Sequence, residues 1–176
     1  TWYQNRDPGG GCDVESMQYA YTFSEELRNG WDWSERYAAQ PEILAYANYV
    51  ADTLDLRRDI VLNTRVTLAQ WQADQSRWCV TAQSGQQWTP RFVVMATGCL
   101  SVPRMPNIPG VEQFQGTLVH TANWPESGLD LGQMHVGLIG TGSSGVQAAT
   151  TLASSVKNLS VSQRSPAYSI PARNRP

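Results

Sequence analysis

Charge is scarce in this sequence. Lys, Arg, Asp and Glu make up 16% of 176 residues and leave a formal net charge of −2. So small an imbalance creates no field that would steer nucleic acid or an anionic membrane surface, and neither is expected as a partner. No apolar run approaches the roughly 18 residues that a membrane span needs, and nothing near Thr1 has the pattern of a secretory signal. Cysteine is limited to Cys12, Cys79 and Cys99, an odd number without a Cys-x-x-Cys pair. A disulfide framework and a metal site are therefore not expected, and the thiols suit a reducing cytoplasm. The chain has no initiator methionine, begins abruptly at Thr1 and stops in a proline-rich tail, so both ends are expected to be cut.

What is present reads as a globular α/β chain. Hydrophobic residues make up 41%, enough for a packed core, and seven tryptophans suggest large apolar contacts. Pro8-Gly9-Gly10-Gly11 must be a loop. Ser24 to Arg28 can form one helical turn, ended by Asn29-Gly30. A longer helix begins at Pro41 with Glu42 near its N-terminus. Its apolar stripe is Ile43, Ala47, Val50 and Leu54, and Arg57 and Arg58 suit its C-terminal end.

From Ile60 the pattern shortens to strands. Ile60–Leu62 and Val66–Leu68 precede Trp71. Arg77–Thr81 then pairs with Gln87–Thr89 across Ser84-Gly85, a small β-meander. Phe92–Ala96 is a continuous apolar run, as a strand buried on both faces requires. It ends in Ala96-Thr97-Gly98, where small residues would let a cofactor approach the backbone. Ser101 to Gly110, with three prolines, reads as an extended linker.

The most informative local pattern is Gly140-Thr141-Gly142-Ser143-Ser144-Gly145-Val146-Gln147. It lies between a strand over Met134–Ile139 and a helix running through Leu152. In a Gly-x-Gly-x-x-Gly turn the first glycine makes the tight turn and the second lets the backbone reach a pyrophosphate. The third lets helix and strand pack closely, and the helix N-terminus faces the negative charge. Leu159–Ser162 is the next strand. About 20 residues past the glycines, where an acid would bind a ribose hydroxyl, stand Arg164 and Ser165. An arginine there suits a 2′-phosphate, so NADPH is expected over NADH.

Upstream of this turn, Phe114, Gly116, His120, Trp124 and Pro125 fill the pattern Phe-x-Gly-x-x-x-His-x-x-x-Trp-Pro. This resembles the fingerprint of the type I Baeyer–Villiger monooxygenases. The N-terminal run Thr1-Trp2-Tyr3-x-Asn5-Arg6-x-Pro8-Gly9-x-x-Cys12-Asp13 is similar to a flavin-side segment of the same family. There Gln4 replaces a tryptophan, Asp7 a tyrosine, Gly10 an alanine and Gly11 an arginine. The resemblance continues through Trp31 to Tyr37 and, at the far end, through Pro166, Tyr168, Pro171, Ala172, Arg173 and Asn174.

The resemblance implies parts of two Rossmann-like dinucleotide-binding domains, for FAD and NADPH, with the small β-meander between their elements and both domains incomplete. By this reading residues 1–102 are a partial FAD-binding domain, 103–132 a linker carrying the fingerprint, and 133–176 a partial NADPH-binding domain. Flavin contacts are expected from Thr1, Trp2, Tyr3, Asp13, Tyr19, Val66, Ala96, Thr97 and Gly98. Nicotinamide nucleotide contacts are expected from Gly140 through Gln147 with Arg164 and Ser165.

Asp13 would be the supporting carboxylate. A lone histidine is more often structural than a base; for His120 the resemblance implies a hinge between the two domains. The implied reaction converts a ketone and O2 into an ester or lactone through a flavin C4a-peroxide. Two alternatives stay open: flavin-dependent N- or S-oxygenation, against which Trp124-Pro125 argues, and a piece that binds nucleotide without catalysis.

Overall fold

The computed structural model describes residues 1–170 and 172–175; Pro171, part of the expected tail pattern, lies outside the described residues. The chain divides into two compact units, Thr1–Thr53 with Leu100–Pro176, and Leu54–Cys99. Among the described residues no helix is long and apolar enough to cross a membrane.

The first unit opens with the loop of residues 1–15 and three helices, α1 (Ser16–Tyr19), α2 (Glu25–Asn29) and α3 (Gln40–Thr53). α2 is short because its signals are close together. Ser24 caps it by accepting from the Leu27 N–H, and the Gly30 N–H closes it on the Glu26 carbonyl. The expected stripe of α3 is met only in part: Ile43 and Val50 are buried, but Ala47 is exposed and Leu54 lies beyond the helix, and Tyr46 takes the inward place between them, buried together with Leu27 and Ala38.

Tyr46 is the hub of this core. Its ring centroid lies 4.9 Å from Trp33, 5.4 Å from Trp31 and 6.3 Å from Tyr21. Its hydroxyl accepts from the Tyr21 N–H at 2.7 Å. Tyr21, Trp31 and Trp33 thus form a cluster on α3, which the even mixture of rings and charges around them does not announce. Buried Ser16 ties the start of that run to its end. Its hydroxyl donates to the Glu35 and Arg36 carbonyls and accepts from the Ala38 N–H.

The rest of this unit holds a βαβ module. Strand β4 (His135–Ile139) leads through the glycine turn into α4 (Ser143–Leu152) and back to β5 (Asn158–Ser162). β4 and β5 are parallel, with His135 opposite Asn158 and Ile139 opposite Ser162. Ala148 and Leu152 are the buried face of α4. The tail returns to residues 35–37: Asn174 Oδ1 accepts from the Tyr37 N–H, and its Nδ2 donates to Glu35 Oε2, both at 2.8 Å.

The second unit is the expected meander, an antiparallel sheet of β1 (Val66–Gln72), β2 (Arg77–Ala82) and β3 (Gln87–Trp88) in that order. Trp71 stands opposite Trp78 with ring centroids 5.7 Å apart. Gly85 makes the β2–β3 turn at φ +88°.

Two expected strands do not form among the described residues. Ile60–Leu62 is unpaired chain after a 3-10 turn over Leu56–Asp59, which also takes up Arg57 and Arg58 in place of the C-terminal end of α3. Phe92–Ala96 is likewise unpaired, and Phe92, Val94 and Met95 are largely exposed. A strand hydrophobic on both faces needs a ladder partner and a covering layer, and no described residue of its unit supplies either.

The core predicts a graded response at Tyr46. Tyr46→Phe leaves the Tyr21 N–H without its acceptor and should cost about 1–2 kcal/mol. Tyr46→Ala also opens a cavity among the rings and should cost about 3–5 kcal/mol. Denaturant unfolding of both variants checks the ranking.

Candidate functional site

The glycine turn is built as its sequence requires. Gly140 takes φ +105°, a conformation that side chains disfavour. At Gly145 an added Cβ would lie 2.4 Å from the Gly140 carbonyl oxygen, so helix and turn are in direct contact. Gly142, the residue before α4, faces open space and offers no side-chain cap. The first amides of a helix have no intrahelical acceptor. Beside this turn lies a cleft of about 630 Å³ lined by Ile139, Gly140, Thr141, Gly142, Ser162, Gln163, Arg164, Ser165 and Ala167.

Arg164 and Ser165 thus stand in the cleft with the first two glycines, although 22 or more positions separate them in the chain. Arg164 has no carboxylate in ion-pair reach among the described residues, and Thr141 Oγ1 donates to Gln163 Oε1 at 2.9 Å. Free amides, a helix N-terminus and an unpaired guanidinium favour an anion of phosphate type. The donor set therefore fits a dinucleotide phosphate.

Trp2 and Tyr19 meet as expected residues of one site. The Trp2 indole N–H donates to the Tyr19 hydroxyl, and their rings are 6.0 Å apart, edge to face. Gln40, at the head of α3, donates to the Trp2 carbonyl. Tyr3 lies under the Arg6 guanidinium at 5.0 Å, and the turn that carries both is closed by the Gln4 and Asn5 N–H groups on the Thr1 carbonyl. Asp13 is exposed, and its Oδ1 accepts from Gln147 Nε2 at 2.6 Å. Val66, at the start of β1, and Ala96, Thr97 and Gly98, with Gly98 at φ +70°, belong to the other unit.

His120 is half-buried and its Nδ1 accepts from the Ala122 N–H at 3.1 Å, capping a 3-10 turn over Thr121–Asn123. Trp124, which ends that turn, lines a second cleft of about 470 Å³ with Gln4, Asn5, Asn123 and Glu126. Arg6 pairs with Glu126 at 3.5 Å, joining the N-terminal loop to the fingerprint.

The surroundings of two residues here escape a reading of sequence. Asp7 carries an Oδ2 that is buried without a partner. Burial pushes its carboxyl above the ordinary 3.8, against the opposing pull of a backbone hydrogen bond and of His120. Gln147 spends its amide on the loop rather than on the cleft. Neighbourhood in space was the missing signal for both. Burial also pushes the Cys12 thiol up, which keeps it protonated and chemically quiet. No cluster of potential metal ligands occurs among the described residues.

The chain belongs to the pyridine nucleotide-disulphide oxidoreductases, whose family model matches residues 16–174. Among its relatives, a Baeyer–Villiger monooxygenase of Pseudooceanicola batsensis is 44% identical over 100% of this chain and 32% of its own length. A phenazine N-monooxygenase of Lysobacter antibioticus is 42% identical over 99% of this chain and 32% of its own. The solved structure of an oxidized steroid monooxygenase bound to NADP superimposes with a TM-score of 0.91 at 51% identity, over 99% of this chain and 34% of that one. The chain therefore spans about a third of the length of these proteins. The resemblance drawn from the fingerprint is borne out, as is the α/β class.

Asp7 generates a prediction whose sign follows from its burial. A carboxyl raised above its unfolded value adds stability that is complete below that value and is lost as pH rises through the folded one. Asp7→Asn, which carries no charge, should therefore be more stable than the natural protein at neutral pH. The gain should shrink on acidification towards 3.8. Melting temperatures of both proteins across that range measure it.

Proposed function

We propose that this chain forms the nucleotide-handling part of an FAD- and NADPH-dependent Baeyer–Villiger monooxygenase that converts ketones with O2 into esters or lactones in the cytoplasm. The observation that carries the reading is the cleft beside the turn that starts α4, which Gly140, Gly142 and Arg164 line together. The completed fingerprint from Phe114 to Pro125 and the names of the relatives add the reaction class.

The flavin, when bound, supplies the oxygen chemistry, and the protein supplies position and electrostatics. Gly140, Thr141 and Gly142 form the turn, and the amides of Ser143, Ser144 and Gly145 hold the pyrophosphate of NADPH. Val146 and Gln147 continue the helix that aims them. Arg164 and Ser165 take the 2′-phosphate. Thr1, Trp2, Tyr3, Asp13, Tyr19, Val66, Ala96, Thr97 and Gly98 are the residues assigned to FAD by the resemblance. Asp13 is the nearest supporting carboxylate, and His120 works as a hinge. The division by cofactor is 1–102 for FAD, 103–132 for the linker and 133–176 for NADPH.

A second reading is N-oxygenation, favoured by the likeness to a phenazine N-monooxygenase. Exchange of residues 1–176 into a complete Baeyer–Villiger monooxygenase separates the two. Ketone-dependent NADPH oxidation with ester or lactone as product is expected. An N-oxide formed from an amine, without ester from ketones, would move the assignment to the second reading. NADPH oxidation without any oxygenated product would reduce it to cofactor binding.

Within that exchange, Arg164→Ala should lower the preference for NADPH over NADH by about 10- to 100-fold, the weight of a charge-assisted hydrogen-bond pair. An unchanged ratio of kcat/KM for the two nucleotides would remove Arg164 from the 2′-phosphate site.

A further inference from the structure

We propose that Gln147 is a positioning residue that clamps the loop of residues 7–13, and with it the Asp13 carboxylate, onto the helix whose N-terminus receives the nucleotide. Three contacts of a single amide carry this. Gln147 Oε1 accepts from the Gly11 N–H at 3.2 Å, and its Nε2 donates to the Gly11 carbonyl at 3.2 Å. The same Nε2 donates to Asp13 Oδ1 at 2.6 Å. A side-chain amide that pairs with both the N–H and the C=O of one residue copies a rung of β-ladder. Its third bond, to Asp13, occupies the remaining donor hydrogen. Both donors of Gln147 are thus spent on the loop, so its contribution to nucleotide binding is exerted through the loop and not by a bond to the ligand.

A second contact one helical turn further on makes the seating close. An added Cβ at Gly9 would lie 2.3 Å from Thr151 Oγ1 and 2.5 Å from the Gln147 carbonyl oxygen, and Gly9 has φ +72°. Gln147 and Thr151 are four residues apart and share one face of α4. On its other side the loop is held by the head of α3: Cys12 N–H to the Ala38 carbonyl at 2.9 Å, and Gln40 N–H to the Gly10 carbonyl at 2.8 Å.

Asp13 therefore takes its direction from α4. The role assigned to it rests on the function proposed above, in which α4 binds NADPH and Asp13 supports the flavin. A ligand at the head of α4 and the carboxylate one turn along it then share a rigid element. Binding at one and order at the other are linked reciprocally.

Hydrogen exchange read over a peptide spanning residues 9–13 tests the clamp without catalysis. Gln147→Ala should accelerate exchange at the Gly11 amide by about tenfold or more, while β4 and α3 keep their protection. Gln147→Glu keeps the acceptor for the Gly11 N–H but sets a second carboxyl against Asp13. Protection at Gly11 in that variant should therefore depend on pH, present while the pair retains a proton and lost when both ionise.

Saturating NADP+ should increase protection of residues 9–13 in the natural protein and leave it unchanged in Gln147→Ala. Exchange in Gln147→Ala equal to the natural protein overturns the clamp. If Gln147→Ala loses protection throughout β4 as well, Gln147→Glu decides, and pH-independent exchange there overturns the proposal. Failure of the natural protein to bind NADP+ would instead defeat the proposed function and leave the clamp, seen without ligand, standing.

Discussion

The structure depends on a close contact between α4 and the turn that starts it. With an added Cβ at Gly145 only 2.4 Å from the Gly140 carbonyl oxygen, any side chain there would push the helix off the turn. That single contact decides where the helix N-terminus points and how far it stands from β4 and β5. The cleft, its uncapped amides and the neighbourhood of Arg164 follow from it, because β5 delivers Arg164 beside the turn only when the βαβ module closes tightly. The clamp on the opposite face of the module depends on the same placement. Gln147 and Thr151 meet the loop of residues 7–13 on the helix that this contact seats.

The aromatic core gives this arrangement its other support. The loop that carries Asp13 is pinned to Ala38 and Gln40, and these two lie where the run of residues 31–39 enters α3. Tyr46 fixes that entry by packing on Trp31 and Trp33, and Ser16 fixes it from the N-terminal side through the Glu35 and Arg36 carbonyls. Apolar burial and a few satisfied backbone groups thus set the height at which a polar loop meets a nucleotide-binding helix. Stability and site geometry rest on the same residues.

Periodicity and punctuation made most of this legible. Ser24 and Gly30 bracket α2, Ile43 and Val50 of the α3 stripe face inward, and the glycine turn stands between its strand and its helix. These features are local, so a sequence can state them. Phe92–Ala96 failed for the opposite reason. An apolar run says that a strand would be buried, but pairing requires neighbours that the run itself does not contain. Gln147 was read as part of the nucleotide turn because it follows the glycines, whereas its amide serves a residue 136 positions away. Asp7 was read as a departure from the family pattern, but burial of its Oδ2 is visible only in space.

Two of the four departures of the N-terminal loop from the family pattern, at Asp7 and Gly11, change its electrostatics in one direction. Gly11 stands where the pattern has a cation, and Asp7 adds an anion in place of a tyrosine. An added Cβ at Gly11 would sit 2.9 Å from the Ala38 carbonyl oxygen, so the glycine permits the close pairing with α3 that the loop shows. The carboxylates of Asp7 and Asp13 then share a loop whose cation, Arg6, is engaged by Glu126. Asp13 has instead a neutral partner, the Gln147 amide, which can donate to it without cancelling its charge. A carboxylate held by an amide keeps its direction when a neighbouring cation is absent. In this chain a neutral amide, and no cation, sets the direction of the Asp13 carboxylate.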